Sequence, residues 1–107
     1  MKLVFAIVND DDASRVLSVL NRAGFPATKL ASTGGYLKSG NTTFISGVQD
    51  EQVDEVLSLI GKNAHKRKQI IHDTSTMGAF GAMAMPLEIE VGGATVFVIN
   101  VERYEKL

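Results

Sequence analysis

Lys2-Leu-Val-Phe-Ala-Ile-Val8 leads through Asn9 into Asp10-Asp11-Asp12, and Thr42-Thr-Phe-Ile-Ser-Gly-Val48 leads through Gln49 into Asp50. The first run is continuous and apolar, the mark of a buried strand. The acidic residues behind each run suit the start of a helix, where they cap free backbone N–H groups and meet the positive end of the helix dipole. A shift of forty positions lays Val8 on Val48, Asp10 on Asp50, and Val16-Leu17-Ser18 on Val56-Leu57-Ser58. The chain therefore reads as two tandem strand–helix–strand units, which predicts an α+β, ferredoxin-like βαββαβ fold.

The remaining elements follow outward from these two anchors. Ala13, Val16, Leu17, Leu20 and Ala23 recur at helical spacing until Gly24, a natural helix stop. Pro26 lies beyond the helix, and Ala27 to Ser32 form a second strand. Thr33 to Asn41 carries Gly34, Gly35 and Gly40 and reads as a loop, with Thr42 to Val48 as the third strand. Val53, Val56, Leu57 and Ile60 define the second helix, and Lys66 to His72 a fourth strand. Asp73 to Pro86, rich in Gly, Ala and Met, reads as a long mobile loop whose order changes with ligand. Leu87 to Val91 and Ala94 to Val101 are expected to pair through a tight Gly92-Gly93 turn, adding a C-terminal hairpin to the core.

Composition excludes several classes of protein. The chain has 107 residues, 45% hydrophobic and 21% charged, and a formal net charge of -1. That size suits one domain, residues 1–107, and the near-neutral charge argues against a nucleic-acid polymer as partner. The absence of cysteine rules out disulfides and thiolate metal sites. The short apolar start runs into three aspartates, unlike a signal peptide, and no segment has the length of a membrane span. The expectation is a cytoplasmic protein without a membrane partner. No nucleophile-and-base signature appears, so it is not read as an enzyme. His65 and His72 lack further metal ligands nearby and read as solvated, and Lys62, Lys66, Arg67 and Lys68 read as a solvated helix end.

The stretch that carries function is Thr28-Lys-Leu-Ala-Ser-Thr-Gly-Gly-Tyr-Leu-Lys-Ser-Gly-Asn-Thr-Thr-Phe44. Its glycines let backbone N–H groups approach an anion, its hydroxyls and the Asn41 amide can bond phosphate oxygens or base edges, and Tyr36 offers a stacking face. Gly47 leaves room beside the following strand. A hairpin with a polar tip has the same composition, and neither GxGxxG nor a P-loop is present.

This stretch, together with Gly47-Val48, Val91-Gly-Gly-Ala-Thr-Val-Phe-Val98 and Val101-Glu-Arg-Tyr104, resembles the PII-like cyclic di-AMP receptors (PstA or DarA) of Gram-positive bacteria over nearly the whole chain. The resemblance implies a homotrimer of ferredoxin-like subunits with cyclic di-AMP bound in clefts between neighbours and no other cofactor. It places ligand contacts at Thr28, Gly35, Tyr36, Leu37, Asn41 and Gly47, with Phe97 lining the same cleft. Pro26 stands where Gram-positive members commonly carry an arginine that contacts the ligand, and Gly24 where some carry asparagine; weaker binding is expected in consequence. The implied function is signal transduction to a downstream protein of unknown identity. The alternatives are a PII-like sensor of another nucleotide and a small trimeric enzyme.

Overall fold

The structure is a computed structural model and describes residues 1–30, 40–72 and 86–107. Strand β1 (Lys2–Asn9) is followed by helix α1 (Asp10–Arg22), strand β2 (Thr28–Leu30) and strand β3 (Asn41–Val48). A 3-10 turn at Asp50–Gln52 leads into helix α2 (Val53–Asn63), and strands β4 (Arg67–His72), β5 (Pro86–Val91) and β6 (Ala94–Asn100) complete the chain. The sheet order β2-β3-β1-β6 is antiparallel throughout and matches a ferredoxin-like arrangement closed by β6.

Two expectations are corrected here. The Lys66–His72 strand does not enter the main sheet, and Gly92-Gly93 does not close a hairpin. β4 pairs instead with β5 in a separate two-stranded ribbon, from Arg67↔Val91 to His72↔Pro86. β6 pairs with β1, from Lys2↔Asn100 to Val8↔Ala94. Val96 and Phe97 therefore lie beside Ala6 and Phe5, an apolar match that the acidic strand β5 does not offer. Gly92 and Gly93, at φ +82° and +81°, turn the chain from ribbon to sheet. Of the second strand expected over Ala27 to Ser32, Thr28–Leu30 form β2, and Ala31 and Ser32 lie outside the described residues. The Asp73–Pro86 loop also lies outside them, apart from Pro86, which opens β5.

Period-two alternation sorts the sheet into two faces. Val4, Ala6 and Val8 of β1 point to the helices and meet Val16 and Leu20 of α1, Phe44 of β3, and Val56 and Ile60 of α2 in one buried core. Helix α1 is capped at both ends. The Asn9 side chain accepts from Asp11 N–H at 2.9 Å, so Asn9, not the aspartates, is the N-cap. At the other end Phe25 N–H donates to Leu20 C=O at 2.9 Å and Gly24 N–H to Asn21 C=O at 3.2 Å, with Gly24 at φ +87°. That pair of bonds ends the helix and swings Phe25 into the core.

Asp12, in the first turn of α1, is buried, only 1% exposed. Its carboxylate accepts from Arg15 at 2.8 Å and from both terminal nitrogens of Arg67 at 3.1 and 3.2 Å. Arg15 also donates to Asn63 C=O at 2.9 Å, tying α1 to the end of α2. The basic cluster is thus partly engaged. Lys66 and Lys68 face Glu90 and Glu88 across the ribbon at 3.8 and 3.5 Å, exposed pairs that add little stability. Near the N-terminus, the Met1 ammonium bonds Asp50 at 3.0 Å and holds that carboxyl below the ordinary aspartate range, with Lys2 adding to the effect.

Candidate functional site

The helices cover only one face of the sheet. The other carries a row running Thr28–Ile45–Phe5–Phe97 across all four strands, flanked by Leu30–Thr43–Ile7–Thr95 and by Gly47–Leu3–Ile99. Phe97 and Ile99 are 54% and 50% exposed, so this face is apolar and open along its β6 edge. The Phe5 and Phe97 rings meet edge to face with centroids 6.5 Å apart.

Of the residues singled out from sequence, Thr28, Asn41, Gly47 and Phe97 fall on this open face. Gly35, Tyr36 and Leu37 lie outside the described residues. Lys29 pairs with Phe44 and so turns to the helix side, away from Thr28. Thr43, between Leu30 and Ile7, is 1% exposed, and its hydroxyl has no hydrogen-bond partner among the described residues. A buried hydroxyl in that state is uncommon.

Asn41 is the most firmly held of these positions. Gly40, at φ +98°, precedes it, and the Gly40 carbonyl accepts from Asp10 N–H at 2.8 Å. On its other side the Thr42 hydroxyl donates to the Asp10 carboxylate at 2.5 Å. The start of β3 is thereby clamped to the start of α1. Pro26 is also tied in, its carbonyl accepting from the buried Ser46 hydroxyl at 3.0 Å.

Asn41 lines a pocket of about 160 Å³ with Ile7 and Asn9 of β1, Lys66 before β4, and Gly92–Thr95. The pocket joins amides, a hydroxyl, an ammonium and the backbone of two glycines, a donor set suited to anionic oxygens. Sequence reasoning missed Asn9, Lys66 and the glycine corner as neighbours of Asn41: Asn9 is its register partner across β1 and β3, and the pairing of β6 with β1 brings the glycine corner beside them. Among the described residues no group of three or more His, Cys, Asp or Glu is placed to hold a metal ion. No described helix is long and apolar enough to cross a membrane.

Residues 1–107 match the family of cyclic-di-AMP receptors. The chain belongs to the cyclic-di-AMP receptor family. It is also 38% identical, over 77 residues, to the nitrogen fixation nifHD region GlnB-like protein 1 of Methanothermococcus thermolithotrophicus, an alignment spanning 60% of this chain and 73% of the relative. The crystal structure of a functionally unknown protein from Pediococcus pentosaceus ATCC 25745 superposes with a TM-score of 0.75 at 42% identity, covering 99% of this chain and 96% of that one. Membership of a receptor family and likeness to a GlnB-like protein together support a PII-like signalling protein.

Proposed function

We propose that this receptor-family chain is a PII-like signal-transduction protein that binds cyclic di-AMP in clefts between three identical subunits. Ligand binding orders the 73–86 loop and passes the signal to a downstream protein. The protein acts without catalysis and without a cofactor of its own, in the cytoplasm. The observation that carries the reading is the gathering of Thr28, Asn41, Gly47 and Phe97 on the one sheet face the helices leave open. An apolar face of this kind calls for cover, and closed rotational symmetry is the common way for identical subunits to supply it.

The chemistry fits a dinucleotide. Two bases need flat apolar surface, which Phe97 and the Tyr36 ring supply by stacking at roughly 1–3 kcal/mol per base. Two phosphates need donors, and Thr28, Asn41 and the backbone of Gly35 offer neutral ones at about 0.5–1.5 kcal/mol net each. Leu37 and the bare Gly47 shape the slot. With Pro26 in place of the arginine, about 1.5–3 kcal/mol is missing, typical of a hydrogen bond to a charged group. Affinity is therefore weaker than in arginine-bearing relatives by one or two powers of ten, roughly.

The test is calorimetric titration of the wild type, Asn41→Ala and Tyr36→Ala with cyclic di-AMP, cyclic di-GMP and ATP. Selective heat from cyclic di-AMP, reduced in both variants, is the expected result. No heat from cyclic di-AMP in the wild type overturns the ligand, and equal affinity in all three proteins removes these residues from the site.

A further inference from the structure

We propose that Arg67, held by the buried Asp12 carboxylate, is the positioning residue of the Gly92-Gly93 corner and so sets one wall of the Asn41 pocket. The link to the pocket rests on the functional reading above; the link to the corner does not.

Asp12 bears one negative charge and faces two guanidinium groups. Arg15, three residues along the same helix and 2.8 Å away, already neutralises it and ties α1 to Asn63. Arg67 is surplus to charge balance, and its contribution is geometric. It grips Asp12 with both terminal nitrogens, the two-pronged contact that fixes a guanidinium in plane and direction. The same Nη1 also donates to His65 C=O at 3.4 Å.

The corner is shaped around that guanidinium. A Cβ on Gly92 would stand 2.5 Å from Arg67 Nη1 and 2.6 Å from His65 C=O, and one on Gly93 would stand 2.8 Å from Lys66 Cγ. Both glycines also have positive φ, which other residues rarely adopt. The chain thus presses bare backbone against Arg67 at the point where it leaves the ribbon for the main sheet. Gly92, Gly93 and the next two residues line the pocket that holds Asn41. From Asp12 in the helix layer to the pocket wall, the connection passes through one side chain.

The test compares Arg67→Lys, which keeps the charge but loses the fork, with Arg22→Lys. Arg22 donates only to exposed Ser18 on its own helix among the described residues, and serves as control. Hydrogen exchange is followed at the 66–68 and 92–94 amides and, as a measure of the fold, at those of Val4–Val8, all without ligand. Affinity for cyclic di-AMP is measured alongside. In Arg67→Lys the corner amides should exchange about tenfold faster while Val4–Val8 are unchanged, and cyclic di-AMP should bind about tenfold more weakly. Arg22→Lys should alter neither. Corner exchange at the wild-type rate overturns the proposal, as does exchange that rises equally in Val4–Val8, the mark of a purely stabilising ion pair. A loosened corner with wild-type affinity overturns the link to the pocket. If the wild type itself gives no heat with cyclic di-AMP, the ligand assignment falls, and the exchange comparison alone decides whether Arg67 sets the corner.

Discussion

Replacing Phe97 with alanine should weaken assembly of a trimer more than it weakens one subunit. A phenylalanine presents roughly 200 Å², and 54% of Phe97 is exposed, so a neighbouring subunit can cover about 100 Å² of it. At about 25 cal/mol per Å², that cover is worth ~2.5 kcal/mol for each subunit, or ~7.5 kcal/mol for a trimer. Trimer formation scales with the cube of monomer concentration, so the midpoint concentration moves as the square root of the change in equilibrium constant. The expected shift is ~500-fold towards higher concentration. Within the isolated subunit the variant loses the part of the ring already covered, about 90 Å² or ~2 kcal/mol, and the edge contact with Phe5, about 0.5–1.5 kcal/mol more. Sedimentation velocity across a dilution series reads the midpoint, and urea unfolding of the dissociated chain reads the subunit. A shift of less than about tenfold in the midpoint would refute the argument that this face is covered by copies of the chain.

Four further outcomes are expected. Phe44→Ala empties the centre of the core, where Phe44 is fully buried, and should lower unfolding free energy by ~3–5 kcal/mol in urea titration, the usual cost of a buried Phe→Ala change. Thr43→Val replaces a buried hydroxyl that has no partner among the described residues with a methyl group. The protein should be about 1 kcal/mol more stable in urea titration; a less stable variant would show that the hydroxyl has a protein partner in solution. Thr42→Val removes the donor to Asp10 and should cost about 1 kcal/mol in thermal or urea unfolding, unchanged stability counting against the clamp at Asn41. Asp50 should titrate below a free aspartate by carboxyl-carbon NMR, because its folded value is lowered by the Met1 ammonium. The small stability this pair contributes is therefore present above the unfolded value and lost as pH falls through the folded one, and N-terminal acetylation should move the midpoint back up.

The elements around the first and third strands were legible because two patterns coincide with two kinds of structure. The unbroken apolar run Leu3 to Val8 marks a buried strand, and Val16 and Leu20, four apart, mark a helix face. Strand pairing was not legible in the same way. A strand pattern says which residues form a strand, not which strand lies beside it, and Gly92-Gly93 between two strand-like runs is a hairpin signal. The long-range match of Phe97 with Phe5 outweighed it. The burial of Asp12 was missed because a run of three aspartates reads as a helix start, although Asp12, Val16 and Leu20 stand four apart on one helix face, the face that is buried. Asn9 was legible in principle, asparagine being among the best N-caps. For the site, residue types pointed to the open face, but the pocket beside Asn41 is assembled from β1, β3 and both sides of the ribbon, which no local pattern brings together.

The ribbon of β4 and β5 leaves and rejoins the sheet at one place, since Arg67 and Val91 are paired across its base. Topologically it is an insert: a short link between Lys66 and Gly92 would join α2 directly to β6 and leave the order β2-β3-β1-β6 intact. A segment that can be lengthened, shortened or exchanged without unthreading the domain is free to diversify. Descendants of one ancestral sheet could acquire new partners by rewriting this appendage alone, while the scaffold beneath it keeps its sequence constraints. Grafting a foreign hairpin beyond the Arg67–Val91 pair would keep the Asp12 contact and the scaffold and change only what it addresses.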